Sequence, residues 1–399
     1  MQIGTYKFDR TEFAGSLGDL GTLIPLSVAL ILITGLSATS VLLMTGLFYI
    51  ACGCYYKLPI PVQPLKVVSA IAIAYPDKIT LPIMAATGIT FGLILLILAF
   101  TGLIDWLAKF FTKAIMRGIQ LGLGLILINK GIGFILSPGL FIQGTGEEFS
   151  LLGIPLNLII GIAGVLLTLM LISSRRFPAA LVVVCAGLLI GILSGALENM
   201  DFAFGPAQAP NDIRLYMPSA EDFLNALLLL VIPQIPLTLG NAVMGTADTC
   251  HTLFGKNPLT EKATYRTFAT SMGIANIFTG VIGGMPMCHG AGGLAAHYRF
   301  GARTGGSNIM IGAVFVVLAL GFGNIGISLL SAIPNAVLGI LLFFAGLELA
   351  MMIRDIKEKN DLFVAFLIAG ISFATTNMGI AFFSGIIVMC LIKWRNISL

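Results

Sequence analysis

The sequence predicts an all-α polytopic membrane protein of about 14 transmembrane segments, arranged as two inverted seven-segment repeats with short half-helices as segments three and ten. Three observations carry that prediction. Hydrophobic residues fill 57% of the 399 positions and charged residues only 10%, with a mean hydropathy of +1.01. An average soluble domain carries about 25% charged residues. Apolar runs follow one another from end to end, so no stretch is left for a soluble domain. Lysines and arginines collect between those runs in alternate loops, the asymmetry that sets orientation.

The first segment covers about Phe13 to Ile33. The residues before it include Lys7, Asp9, Arg10 and Glu12 rather than a cleavable signal, so this span is expected to be retained. Ser40 to Tyr56 follows as the second. Next come Pro59, Pro61 and Pro64, which forbid a helix because each fixes φ and biases the residue before it away from the α region. The pattern predicts an extended lead-in, then a half-length helix starting near Pro64 and reaching Tyr75. Leu81–Leu103, Ile115–Leu136, Leu156–Ile172 and Ala179–Leu197 complete the first repeat, residues 1–197. An acidic, proline-bearing connector outside the cytoplasm spans 198–222. The second repeat, 223–399, holds segments near Phe223–Thr246, Tyr265–Ile282, Cys288–Phe300, Ile309–Ile325, Ser331–Met352, Leu362–Thr375 and Met378–Lys393.

With the N-terminus in the cytoplasm, eighteen of the 22 lysines and arginines fall inside. Lys78 and Arg214 fall outside, and Lys66 and Lys130 lie in or beside spans. A wrong count would invert every later loop, so the charges support N- and C-termini on the cytoplasmic side of a cell inner or plasma membrane. An odd number of spans per half makes the halves inverted. Faint repetition agrees: Ile24-Pro25-Leu26-Ser27 matches Ile235-Pro236-Leu237-Thr238, and Pro61-Val62-Gln63-Pro64-Leu65 has a counterpart in Pro286-Met287-Cys288-His289-Gly290. The second half needs an insertion, placed in the polar stretch Asp248 to Ala263.

A broken apolar segment is the usual pointer to a transporter's binding site. The half-helix after Pro64 carries Gln63, Pro64, Leu65 and Lys66 at its mouth, where free N–H groups, the positive end of the helix dipole and a lysine charge make an anion trap. A second mouth is expected at His289, Gly290, Ala291 and Gly292, where glycines let a ligand approach the backbone and the imidazole can donate or take a proton. The same glycines would also serve as a helix-packing surface. Asp19 is a carboxylate inside the first span, expensive there unless paired or solvated. Two roles suit it: coupling transport to protons, or a buried structural partner of Lys66 or Lys130. Gln234, Thr238 and Asn241 share one helical face at i, i+4 and i+7, as ligand contacts or as polar glue between helices. Glu348 is expected to pair with Arg354. Asp248, His251, Arg299 and Arg303 are read as cytoplasmic-face charges.

Other chemistries drop out. The six cysteines sit mostly in apolar runs as packing residues, and no His/Glu spacing suits a metal, so neither metal nor cofactor is expected. The net charge of +4 is spread between spans and points to no nucleic acid. Neither a phosphate-cradling Gly-x-x-x-x-Gly-Lys loop nor a nucleophile elbow occurs, so the chain is not expected to be an enzyme.

Four pieces taken together, Phe13 through Leu26 with its Gly18-Asp19-Leu20-Gly21 core, Pro61-Val62-Gln63-Pro64-Leu65-Lys66, Pro233-Gln234-Ile235-Pro236-Leu237-Thr238 and Cys288-His289-Gly290-Ala291-Gly292-Gly293-Leu294, resemble the molybdate transporter family, a branch of the sulfate permease superfamily. The resemblance covers essentially the whole chain. It implies the inverted seven-plus-seven fold, core and gate domains interleaved across both repeats, and an oxyanion held between segments three and ten. A C-terminal regulatory domain of the anti-sigma-antagonist (STAS) type is not expected. The expected activity is secondary active transport of molybdate by alternating access, cation- or proton-coupled. Sulfate or tungstate permease activity, a nucleobase-proton symporter and an anion channel on the same fold stand as alternatives. Partners are the oxyanion, the lipid bilayer and, as a candidate, a second copy of the chain in a homodimer.

Overall fold

Helices form where the apolar runs predict them, and their ends are set by local chemistry. The computed structural model describes residues 2–104, 112–141, 150–151, 153–171, 179–196, 215–255, 258–321, 323–375 and 377–395. The first half of the chain supplies α1 (Arg10–Ser16), α2 (Leu20–Thr34), α3 (Ala38–Tyr56), α4 (Lys66–Ala74), α5 (Leu81–Thr101), α6 (Lys113–Ile135), α7 (Leu156–Leu171) and α8 (Ala179–Leu193). The second supplies α9 (Ala220–Phe254), α10 (Tyr265–Val281), α11 (Ala291–Phe300), α12 (Gly305–Gly321), α13 (Gly323–Ser331), α14 (Asn335–Met351), α15 (Lys359–Thr375) and α16 (Met378–Arg395). Hydroxyl N-caps start several of them: Ser37 accepts from Ser40 N at 3.1 Å, and Thr264 forms a reciprocal box with Thr267.

Five expectations need correction. The first span is two helices bent by 48° at Leu17-Gly18-Asp19. The third helix starts at Lys66 and the tenth at Ala291, because Gln63–Pro64 (β3) and Met287–Cys288 (β6) are extended and pair with each other. The eighth runs on to Phe254 and stops at Gly255, with φ of 71°, so the stretch from Asp248 begins as helix. Two stretches of α9, Leu227–Val231 and Thr238–Gly245, are wound as π-helix. A short helix, α13, lies between segments eleven and twelve. Among the described residues, five helices are long and apolar enough to cross a bilayer, or up to seven if each bent pair is one span. The breaks that shorten the others are the feature that builds the site. The connector over 198–214 and the inside charges Lys109, Arg175, Arg176 and Lys256 lie outside the described residues.

Short antiparallel ribbons β1–β2 (Gln2–Ile3, Tyr6–Lys7) and β4–β5 (Ser150–Leu151, Ile154–Pro155) are peripheral. β3–β6 is central and antiparallel, with Gln63 opposite Cys288 and Pro64 opposite Met287. Around it, helices pack as antiparallel pairs on facing glycines: α3 on α12 through Gly46/Gly312 and Gly53/Gly305, α5 on α10 through Gly88/Gly280 and Gly92/Gly273, and α6 on α14 through Gly124/Gly346 and Gly131/Gly339. A Cβ on Gly46, Gly124 or Gly131 would lie 2.7, 2.5 or 2.6 Å from the opposing glycine's carbonyl oxygen. Such close backbone approach is how helices associate where lipid is as apolar as leucine. Exchanging the halves turns the α3–α12 pair into α10–α5 and leaves α6–α14 and β3–β6 unchanged, which is the pattern a two-fold relation between repeats produces.

Candidate functional site

Prolines at 59, 61 and 64 strip the lead-in of donors, so its carbonyls must find partners elsewhere. Those of residues 59–62 do, from side chains. His297 Nδ1 donates to Pro59 O at 3.0 Å and Asn308 Nδ2 to Ile60 O at 2.6 Å. His289 Nδ1 donates to Pro61 O at 2.9 Å and the Tyr49 hydroxyl to Val62 O at 3.2 Å. On the opposite strand Asn276 holds both the N–H and the C=O of Met287, at 2.9 and 2.7 Å. The extended crossing is thereby fixed, and with it the start of the two half-helices.

Those two helix mouths are not equivalent. At α4, the Gln234 side-chain oxygen accepts from Val67 N at 2.9 Å and Val68 N at 3.3 Å, so the donors of the second and third helical residues are occupied. Gln234 is held in turn, its Nε2 donating to Thr238 Oγ1 at 2.9 Å. The two π-helical stretches of α9 flank this residue and let the amide reach across; such bulges recur at functional sites. Gln234 and Thr238 are therefore the cap on α4, and the expected row of free donors there is reduced. At α11, among the described residues, the N–H groups of Ala291, Gly292 and Gly293 have no protein acceptor, and Gly292 is exposed. Gly245 of α9 stands beside this mouth, since a Cβ on it would lie 3.3 Å from Ala291 Cβ and 4.0 Å from Asn241 Oδ1. Asn241 is half-buried there.

Lys66 is the first residue of α4, half-buried, and among the described residues its ammonium makes no hydrogen bond or ion pair. Asp19 and Glu348 both lie within its electrostatic reach. Asp19 pairs with neither lysine considered for it. Its buried carboxylate takes both bonds from Gln63 Nε2, at 2.8 and 2.9 Å, while Lys130 lies over the Phe134 ring. The Gln63–Asp19 pair sits against the first turn of α11: a Cβ on Gly293 would lie 2.6 Å from Gln63 Nε2 and from Asp19 Oδ2, and one on Gly290 would overlap Gln63 Oε1. Pro64 and Leu65 are buried spacers, Leu65 N donating to Pro286 O at 2.9 Å.

His289 is placed differently from its expected role. Its ring lies among Phe48, Tyr56 and Phe268, with Nδ1 on Pro61 O and Nε2 3.0 Å from Ser271 Oγ. Both nitrogens are occupied by protein, so it braces the lead-in. Glu348 does not pair with Arg354, whose Nε donates to Met351 O; it lines a cavity of about 230 Å³ with Leu341 and Phe344 of the same helix, α14, and with Arg299, Gly18 and Gly21. Asp248 accepts from the Tyr265 hydroxyl, and Arg303 stacks 3.6 Å from the Tyr298 ring. Sequence reasoning passed over Glu12, which accepts from Arg303 N and Thr304 N, and over Asn276 and Asn308. An asparagine inside an apolar run was the available signal for the last two.

The chain matches the family model described as "Molybdate transporter of MFS superfamily" over residues 11–127 and 226–349. It is 31% identical to molybdate transporter 2 of Arabidopsis thaliana, covering 97% of this chain and 88% of that protein. Molybdate transporter 1 of Chlamydomonas reinhardtii is 29% identical, over 94% and 90%. Among solved structures, the transmembrane domain of the cyanobacterial bicarbonate transporter BicA superposes with a TM-score of 0.66 at 16% identity, covering 93% of this chain and 96% of that one. The murine Slc26a9 anion transporter in its inward-facing state gives 0.71 at 15% identity, covering 99% and 70%. These two likenesses establish the fold. The chain belongs to the molybdate transporter family and is an integral-membrane anion transporter, built on the fold of those bicarbonate and SLC26 carriers.

Proposed function

We propose that the chain is a secondary active transporter of molybdate, and that the oxyanion binds at the N-terminal mouth of α11 beside Lys66. The observation that carries this reading is the asymmetry of the mouths: α4 is capped by Gln234, whereas among the described residues α11 presents three unpartnered N–H groups and an exposed glycine, and Lys66 makes no ion pair. A helix N-terminus carries about half a positive charge, and with Lys66 it offsets much of a dianion's charge away from bulk water. Asn241 is placed to add an amide contact. Gln63, Gly290 and Asp19 form the wall behind, and Gln234, Thr238 and His289 hold the two half-helices in position.

Transport follows by alternating access. The core comprises α1–α5 and α9–α12, joined by β3–β6 and the α3–α12 and α5–α10 glycine contacts; the gate comprises α6–α8 and α14–α16 about the α6–α14 contact. The cavity between Gly21 and Phe344 is the cleft through which the site is reached. Asp19 carries the coupling proton. Uptake of radiolabelled molybdate into proteoliposomes, with sulfate and tungstate as competitors and with or without a pH gradient, tests the whole reading. Concentrative uptake driven by an inward proton gradient is expected, with sulfate competing more weakly than tungstate. Ohmic conduction of the purified chain in planar bilayers, without accumulation, would make it a channel instead.

A further inference from the structure

The Gln63 side chain is 1% exposed, yet only half of its amide is used. Its Nε2 is shared between the two carboxylate oxygens of Asp19, and among the described residues Oε1 is buried without any hydrogen-bond partner. A buried orphan acceptor costs about 1–3 kcal/mol, so its persistence calls for an explanation. Its location supplies one. Oε1 lies against Gly290, the N-cap of α11, at the edge of the mouth where the three free N–H groups are. In this arrangement the face that Gln63 turns toward an arriving anion is an acceptor, which repels it.

We infer that Gln63 is a reversible amide whose orientation is set by Asp19, converting protonation of Asp19 into a hydrogen-bond donor for the oxyanion at the mouth of α11. An ionised carboxylate only accepts, and so holds the amide with Nε2 inward and Oε1 outward. A protonated Asp19 has an O–H to give, which suits Oε1. The amide then turns by half a rotation about its last bond, a broad two-fold torsion, without moving the backbone. Nε2 now faces the mouth, joining the Ala291–Gly293 N–H groups and Lys66. The orphan acceptor and the anion are satisfied by the same turn. Proton and anion therefore bind together, which is the requirement of a symporter. The charged and titratable groups that face Asp19 are Lys66 on α4, Glu348 on α14, Tyr49 on α3 and Cys288 on β6; from α11, His297 turns away onto Pro59 O. None of these donates to Oε1.

This inference rests on the α11 mouth as the binding site, and the test separates the two. Molybdate binding to the purified chain is measured by calorimetry from about pH 6 to about pH 8.5, a span of more than two decades of proton concentration. Wild type is expected to bind more tightly as pH falls, by up to about tenfold per unit, the slope of one linked proton. Asp19→Asn, whose amide can donate to Oε1 at every pH, should bind with the acid-limit affinity and no slope. Gln63→Met keeps the titrating carboxylate but has no amide to turn; it should bind weakly and without slope. A slope that persists in Gln63→Met would show that the Asp19 charge acts on the anion directly and would overturn the amide switch. So would an Asp19→Asn protein that binds as weakly as wild type at high pH. Gly292→Val reports on the site itself, because a Cβ there meets no protein atom and intrudes only on the mouth. If Gly292→Val binds molybdate like wild type, the site reading fails; if it abolishes binding while Gln63→Met retains the slope, only the switch fails.

Discussion

At the scale of single residues, the structure divides the polar side chains of the apolar runs into those with a partner and those without, and the division predicts phenotype. Among the described residues Lys66 makes no hydrogen bond or ion pair, which leaves its ammonium available to a substrate. Lys66→Ala should leave the fold intact and weaken molybdate binding by about 10- to 100-fold, the worth of one charge-assisted contact of roughly 1.5–3 kcal/mol at a half-buried position. Native affinity in a monodisperse Lys66→Ala preparation would remove the lysine from the site. His289 is the reverse case. Both ring nitrogens are engaged, so His289→Gln should strand the Pro61 carbonyl or Ser271 and cost about 1–3 kcal/mol of stability, read as a lower unfolding temperature. Its molybdate affinity and pH profile should match wild type. A changed profile with unchanged stability would return the imidazole to the substrate's side. Gly290→Val acts by displacing Gln63, and its loss of binding is expected to come with loss of the pH slope.

At the scale of elements, the helices were legible and the way they end was not. Pro59, Pro61 and Pro64 announce an extended lead-in, and the apolar run after them announces a helix. What the chain does not announce is that Gln63–Pro64 pairs with Met287–Cys288, more than two hundred residues away, which moves each half-helix start onto Lys66 and Ala291. The identity of Gln234's partner was equally hidden, since a cap that arrives from another helix leaves no local spacing. Periodicity reports which face of a helix is buried; it says nothing of which glycine meets which. The α6–α14 contact allows a direct check. Gly131 and Gly133 are two residues apart on α6, but a Cβ on Gly131 would lie 2.6 Å from the Gly339 carbonyl oxygen, whereas one on Gly133 meets no atom within 4 Å. Gly131→Leu should therefore cost several-fold in yield of monodisperse protein and lower its unfolding temperature, while Gly133→Leu should behave as wild type. Equal tolerance of both would mean that α6 and α14 do not cross on Gly131.

At the scale of the whole molecule, charge and packing make one argument about how the chain lies in the membrane. Arg117 holds Asp355 through Nε at 2.9 Å, and Lys113 lies 3.3 Å from the same carboxylate, so the start of α6 and the turn after α14 share one end of the helix bundle. Arg354, Lys357 and Lys359 follow immediately, making that end strongly basic. The positive-inside asymmetry predicts that this end is cytoplasmic. Continuity through α5, α4 and the lead-in puts Asp77 and Lys78 on the opposite side, and the short approach to α9 at Ser219 joins them there. Cysteines placed singly at Asp77, Ser219 and Lys357 test this in a background with the six native cysteines replaced; all three positions are exposed. In intact cells an impermeant maleimide should label the first two and reach Lys357→Cys only after permeabilisation. The Asp77 site is the decisive one, because its side depends on α5 completing a single crossing from the start of α6. Labelling of Asp77→Cys from the cytoplasmic side, with Lys357→Cys also inside, would mean that α5 does not complete a crossing between Asp77 and the start of α6. The two halves would then lose their inversion, and with it the opposed half-helices on which the anion site depends.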